Sequence, residues 1–401
     1  MESFDDFEPD GPRPRVQALT PRNLLSFGPD TPPLRFGALN VLVGPNGSGK
    51  SNVLELLALL RSAPDSISRI VAQGGGAAEW VWKGASDMSA SLDVEVTDPV
   101  VVQGAMYQHR LGFFTMREQL WLEEEVIHVD DPAYPGVLEE LYRNVDGKAT
   151  IRPRGSIARE LAPGSTPHNA SILAQRRDPD LYRDLAYLAR TYESMRLYRE
   201  WRFGRRTPLR RPQQTDLRSD RLAEDYSNLG LVLNRMRRQP RTKTALIERL
   251  RDLYDGLTDV DVIVEGGTVQ VFFTEGDYVI PATRLSDGSL RYLCLLAILL
   301  DPAPPPLVGL EEPELGLHPD LLPKVADLLV DASTRTQLIV TTHSDVIVDA
   351  LTERPESVVV FDKHDGRTTF QRLDRAALGD WLQKYRLGEL WTRGQIGGTR
   401  W

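Results

Sequence analysis

The sequence predicts an α/β fold built on a largely parallel sheet, and three observations carry that prediction. A short apolar run, Leu39 to Val43, passes through a glycine-rich turn into Val53 to Leu60, a helix apolar on nearly every side that must therefore be buried. Two further apolar strand segments, Leu307 to Leu310 and Gln337 to Thr342, are separated by the helical run Pro319 to Asp331. Strands alternating with helices at both ends of the chain require crossover connections, which is the arrangement of a parallel sheet.

With 401 residues, the chain exceeds one compact domain of ordinary size, so a main domain with a large insertion is expected. Hydrophobic residues at 41% and charged residues at 26% exclude a wholly disordered or collagen-like chain. Forty-eight basic against 57 acidic residues give a net charge of −9, which argues against blanket coating of nucleic acid. The single cysteine, Cys294, lies in an apolar run, has no partner for an internal disulfide, and reads as an inert buried thiol. Residues 1–15 are acidic and proline-bearing, without the apolar core of a signal peptide, and read as a loose tail. The longest apolar stretch, Tyr292 to Leu300, is far shorter than the ~20 residues needed to cross a bilayer. No membrane span and a cytoplasmic location are expected.

Between the two ends, residues 61–175 alternate like antiparallel strands, including Ser91 to Val96 and Leu120 to Val129. Residues 180–251 read as helical. Val260 to Val264 and Thr268 to Phe273, joined by Gly266-Gly267, read as a hairpin. The expected division is a tail over 1–15, a first half-domain over 16–60, an inserted lobe over 61–258 and a second half-domain over 259–401.

Chemistry is concentrated in the two outer parts. Gly44-Pro45-Asn46-Gly47-Ser48-Gly49-Lys50-Ser51 is a full phosphate-binding loop with a strand before it and a helix after it. Its glycines let Asn46, Gly47, Ser48 and Gly49 turn backbone N–H groups inward around a phosphate, in front of a helix N-terminus with about half a positive charge. Lys50 would bridge the β- and γ-phosphates of ATP, and the Ser51 hydroxyl would bind Mg²⁺. Leu310-Glu311-Glu312-Pro313-Glu314 follows the short strand, where Glu311 would bind Mg²⁺, directly or through water, and Glu312 would act as general base or as positioner of the attacking water. Leu285-Ser286-Asp287-Gly288-Ser289 opens an apolar helix, and Thr341-Thr342-His343-Ser344 closes a buried strand. Alone, these last two are an N-cap and a strand end.

The order of these four motifs resembles that of ABC-type ATPases. Lys50-Ser51-Asn52, Glu311-Glu312-Pro313-Glu314 with Leu317-His318-Pro319, and Thr342-His343-Ser344 resemble the branch containing the RecF, SMC and OLD ATPases. The closest likeness is to stand-alone ATPases of the AAA type, which share Trp201 to Gly204, Glu224-Asp225 with Asn228, and the closing Leu387 to Trp401 segment. The resemblance implies a P-loop NTPase fold: an ABC-type ATPase head with a mixed sheet and a long inserted strand-plus-helix lobe. It also implies that Asn52 belongs to the nucleotide site and that Ser286 and Gly288 contact the γ-phosphate of ATP held by a second protomer. Two ATP molecules are then enclosed in an ATP-dependent homodimer, with His343 as γ-phosphate sensor. Such ATPases serve genome maintenance and phage defence. Glu311 departs from the aspartate common at its position, and Gln73, Gln103 and Gln108 all compete for the role of the glutamine that links metal to machine.

The OLD nucleases continue into a metal-binding nuclease domain, whereas 57 residues follow Ser344 here, and Asp362 and Asp365 read as turn residues. A separate effector protein, a nuclease among the options, is therefore expected. Between Arg190 and Arg251 stand 16 Arg and one Lys against seven acids, a balance of +10 that leaves −19 for the remainder. This segment, 190–251, reads either as a DNA-contacting surface or as a face that pairs with the acidic remainder. Its aromatics Tyr192, Tyr198, Trp201 and Phe203 read as core. Two other functions fit the motif order: the nucleotide-binding subunit of a membrane transporter, against which the 234-residue gap between Ser51 and Ser286 stands, and an ATP-gated scaffold that does not hydrolyse.

Overall fold

A computed structural model describes residues 15–86, 89–98, 104–116, 119–134, 136–205, 207–253, 256–379 and 381–398. The expected tail thus falls outside the described residues up to position 14. The chain forms two compact units.

The first unit comprises Met1–Gly37, Asn46–Met195 and Phe361–Phe370. Its eight-stranded antiparallel sheet runs in the order β2-β1-β4-β5-β6-β7-β8-β9. The strands are β1 (Arg15–Arg22), β2 (Leu34–Arg35), β4 (Ser89–Asp98), β5 (Ala105–Met116), β6 (Gln119–Asp130), β7 (Leu138–Val145), β8 (Lys148–Ile151) and β9 (Arg159–Glu160). Alternation directs Tyr107, His109, Leu111 and Phe113 of β5 inward. The helices of this unit are α1 (Lys50–Ser62), α2 (Ile67–Gln73), α3 (Ala77–Trp80), α4 (Ile172–Gln175) and α5 (Arg183–Ser194). As its composition requires, α1 is buried on several faces and packs on α2 and α5. A buried polar cluster ties sheet to helices: His109 meets Tyr192 and Glu125 at 3.1 Å each, and Glu125 accepts from Ser171 and from the Ile172 N–H.

The second unit comprises Ala38–Pro45, Arg196–Val360 and Gln371–Trp401. Its main sheet is ordered β10-β15-β16-β3, with Val358–Val360 at the start of β17 beside β3. Here β3 is Leu39–Val43, β10 Arg196–Tyr198, β15 Leu307–Glu311, β16 Gln337–Thr341 and β17 Val358–His364. The pairs from β10 to β17 are all parallel. A smaller antiparallel sheet holds β11 (Gln213–Gln214), β12 (Leu257–Glu265), β13 (Thr268–Glu275) and β14 (Tyr278–Pro281). Helices α6 (Leu229–Arg237), α7 (Pro240–Leu250), α8 (Asp287–Leu299), α9 (Leu322–Ala332) and α10 (Asp345–Ala350) complete the core with three short C-terminal helices. Val41, Leu293, Leu296, Leu310, Leu329 and Val340 share one apolar cluster.

Most expected elements stand where the sequence placed them, including the hairpin β12–β13 and the turn at Asp365, whose φ is +48°. The helical expectation for 180–251 needs correction. Among the described residues the α-helices there are α5, α6 and α7; Met195 to Asn228 is mostly irregular, with β10, β11 and a 3-10 turn at Pro208–Arg210, because Gly204, Pro208 and Pro212 interrupt any longer helical run. The chain passes between units at residues 195 and 196, so the second half of the expected insertion packs with the C-terminal elements.

Candidate functional site

In a parallel sheet, ligands bind at the carboxyl ends of the strands. Register brings Leu42 of β3, Thr341 of β16 and Glu311 of β15 into one row at that end of the second unit. The Thr342 N–H donates to the Leu42 carbonyl at 3.1 Å, so the strand entering the phosphate loop leaves the sheet beside the turn that carries His343.

Glu312 has left-handed backbone, φ +45°, a conformation that costs a side-chain-bearing residue energy and turns the chain sharply. Its N–H donates to the Thr341 carbonyl at 3.0 Å, which fixes the turn. His343 Nε2 then stands 3.3 Å from Glu312 Oε1. Two residues that the sequence singled out thus stand side by side. Glu314, which the sequence reading left without a role, is buried behind them at 9% exposure. Its Oε1 accepts from the Thr342 hydroxyl at 2.6 Å and from the His343 N–H at 2.9 Å, while Oε2 has no partner. Burial pushes its carboxyl above the ordinary range, and the Thr342 bond opposes this.

Within the first unit, the loop residues Asn46 to Gly49 lead into α1, whose first turn carries no acid. Gly49 has φ +104°, and a Cβ there would strike the Thr368 hydroxyl, so only glycine fits. A chain of hydrogen bonds holds the loop from behind: Asn52 Nδ2 donates to Ser26 Oγ at 2.6 Å, Ser26 meets Thr368 at 2.6 Å, and Thr368 donates to the Ser48 carbonyl at 2.8 Å. Asn52, expected at the nucleotide, here donates its side-chain N–H to Ser26 behind the loop. Lys50 and Ser48 are buried, and Ser48 Oγ lies without a partner, the condition of a hydroxyl built to meet a ligand oxygen. Of the glutamine candidates, Gln73 ends α2, Gln108 lies within β5, and Gln103 is outside the described residues.

Residues 39–349 match the family model described as "AAA domain, putative AbiEii toxin, Type IV TA system". The chain belongs to this family. No curated protein matches it in sequence. Among solved structures, an Smc head bound to the C-terminal winged-helix domain of ScpA is similar at 13% identity and TM-score 0.56, covering 90% of this chain and 99% of that one. An Smc head with an extended coiled coil, bound to the C-terminal domain of ScpA derived from Pyrococcus furiosus, is similar at 14% identity and TM-score 0.55, covering 92% and 99%. The fold is that of a P-loop ATPase head, similar to the Smc heads.

In this AAA-family chain, the loop with Ser286 and Gly288 also sits in the second unit. Ser286 caps α8, its Oγ accepting from the Ser289 N–H at 3.1 Å. A Cβ on Gly288 would stand 2.7 Å from the Gly316 carbonyl oxygen, so the glycine is required within the chain itself. Glu311 is engaged by Arg199 at 3.1 Å, and its carbonyl accepts from Trp201 Nε1 at 2.6 Å. Neither partner announces itself in sequence by periodicity, since both lie in an irregular run. Among the described residues, no three His, Cys, Asp or Glu side chains gather around a possible metal. The Ser51 hydroxyl in the first unit and the Glu311 carboxylate in the second are each oxygen donors of the kind Mg²⁺ accepts.

The remaining expectations are placed as follows. Cys294 is buried and burial pushes its thiol up, as an inert thiol requires. Tyr192, Tyr198 and Phe203 are core residues. Within the basic segment, Arg210, Arg218, Arg235 and Arg237 pair with Asp287, Asp220, Asp301 and Asp261. Among the described residues, no helix is long and apolar enough to cross a membrane.

Proposed function

We propose that this chain is an Mg²⁺-dependent ATP hydrolase that dimerises on ATP and passes the closure to a separate partner. The 3.3 Å approach of His343 to Glu312 carries this reading, because a carboxylate and an imidazole at a strand end suit the orientation of one water molecule. Glu312 accepts the proton of that water as its oxygen attacks the γ-phosphorus, and the bond from that phosphorus to the β-bridging oxygen breaks to release ADP and phosphate. His343 holds a γ-oxygen and Glu312 in register. Lys50, with the N–H groups from Asn46 to Ser51, binds the phosphate oxygens. Ser51 and Glu311 are the residues that would hold Mg²⁺, which would neutralise phosphate charge when bound. Ser286 and Gly288 serve the nucleotide of the second protomer.

The similar Smc heads are bound to a domain of another polypeptide, ScpA, which supports a separate partner here. The ion pairs of the basic segment favour a fold or partner role over DNA contact. Genome maintenance or phage defence is the setting that fits such an engine. Phosphate release by the wild-type chain and by Glu312→Gln tests the reading: turnover should fall about 10²- to 10⁴-fold while ATP still binds. Equal turnover in the two proteins would reject Glu312 as base.

A further inference from the structure

The run from Arg199 to Arg210 touches both loops of the second unit that the proposed reaction uses. At one end, Arg199 engages the Glu311 carboxylate at 3.1 Å and Trp201 donates to the Glu311 carbonyl at 2.6 Å. At the other end, Arg210 reaches the loop before α8. Its guanidinium donates to the Thr283 carbonyl at 2.9 Å and the Leu285 carbonyl at 2.7 Å, and it pairs with Asp287. It also donates back to the Phe203 carbonyl at 3.1 Å, which ties the two ends together. Arg291, on α8, closes the circuit: it donates to the Glu312 carbonyl at 3.3 Å while its guanidinium lies 5.0 Å from the centre of the Trp201 ring.

A guanidinium with most of its donors committed to backbone carbonyls fixes main chain rather than surface charge. Trp201 is fixed as well, stacked on Tyr226 at 5.5 Å and beside Phe203 at 6.2 Å. The buried Asn228 holds the return of this segment, accepting from the Ala223 N–H and donating to the Arg218 and Arg221 carbonyls. Residues 201–204 and 228, without a part in the nucleotide chemistry, thereby acquire a common purpose.

We infer that this segment is a brace that locks the Ser286 loop to the Glu311–Glu312 turn, with Trp201 and Arg210 as positioning residues for the hydrolytic turn. The inference rests on the proposed function in one respect: the Ser286 loop serves a second protomer's ATP, so the brace relays its engagement to the base of its own site. No movement is required. A rigid link makes the geometry of one loop depend on that of the other.

Two variants test it. Trp201→Phe keeps the ring beneath Arg291 and removes the N–H given to Glu311. Arg210→Gln removes the bonds to the Ser286 loop. In each, kcat should fall about 10-fold with KM for ATP unchanged, the signature of a displaced reacting group rather than a lost binding site. Hydrogen exchange in the ATP-free full chain supplies a readout independent of turnover. Trp201→Phe should speed exchange about 5-fold at residues 283–290, and Arg210→Gln should do so at residues 311–317. Exchange altered only at each variant's own loop, or kcat at the wild-type value, would overturn the brace. A wild-type chain that releases no phosphate would reject the proposed function, and the exchange experiment alone would then decide the brace.

Discussion

His343 Nε2 and Glu312 Oε1 stand 3.3 Å apart, and the His343 backbone N–H donates to Glu314 at 2.9 Å. A buried carboxylate thus fixes the backbone that carries the imidazole, and the imidazole faces the Glu312 carboxylate. Glu314→Ala removes both acceptor bonds and should lower kcat about 10-fold with little change in ATP affinity. Glu314→Gln, whose amide oxygen accepts the same two bonds, should retain most of the activity. Single-turnover and steady-state phosphate release distinguish the two variants.

The same residue sets a pH dependence of stability. Burial raises the folded-state value for Glu314 above the ordinary 4.5, so the folded chain binds its proton more tightly than the unfolded chain. That contribution is complete below the ordinary value and is lost as pH rises through the raised one. Urea titrations at about pH 5 and pH 8 should therefore show Glu314→Gln gaining stability relative to the wild type at the higher pH.

Gly49→Ala places a Cβ against the Thr368 hydroxyl at a backbone angle that L residues rarely adopt. ATP affinity, read by nucleotide titration, should fall at least about 10-fold, and the folded chain should lose roughly 1–3 kcal/mol. Thr368→Val, which removes the donor to the Ser48 carbonyl without changing shape, should weaken ATP binding to a smaller degree.

Gly288→Ala should lower turnover while leaving the affinity of an isolated protomer for ATP intact. The added Cβ meets the Gly316 carbonyl, which is backbone and can yield only by moving the turn after Glu314. A parallel fall in affinity and turnover would argue against this separation of tasks.

What the sequence disclosed depended on the range of each interaction. The strand Leu39–Val43 and the Ser286 cap are local, and their residues alone specify them. The three-residue strand β10 is too short to show alternation, yet it borders β15 and sets Arg199 beside Glu311. Thr368, which supports the phosphate loop from 320 residues away, leaves no local sign of that task. The arginine excess was visible as composition, but its division between DNA and fold depended on partners such as Asp287, Asp261 and Asp301 that only the tertiary structure names.

Withdrawal of Mg²⁺ by a chelator should abolish phosphate release and leave residual ATP binding through Lys50 and the loop N–H groups. Ser51→Ala should raise the Mg²⁺ concentration needed for half-maximal turnover.

The central claim is an engine that closes around ATP and opens after hydrolysis. Its most direct measurement is the solution mass of Glu312→Gln with and without Mg²⁺-ATP. The account predicts a monomer mass without nucleotide, a doubled mass with it, and no doubling when Ser286→Arg is added to obstruct the second protomer's phosphate. An identical mass in all three conditions, with Ser286→Arg alone retaining wild-type turnover, would contradict it.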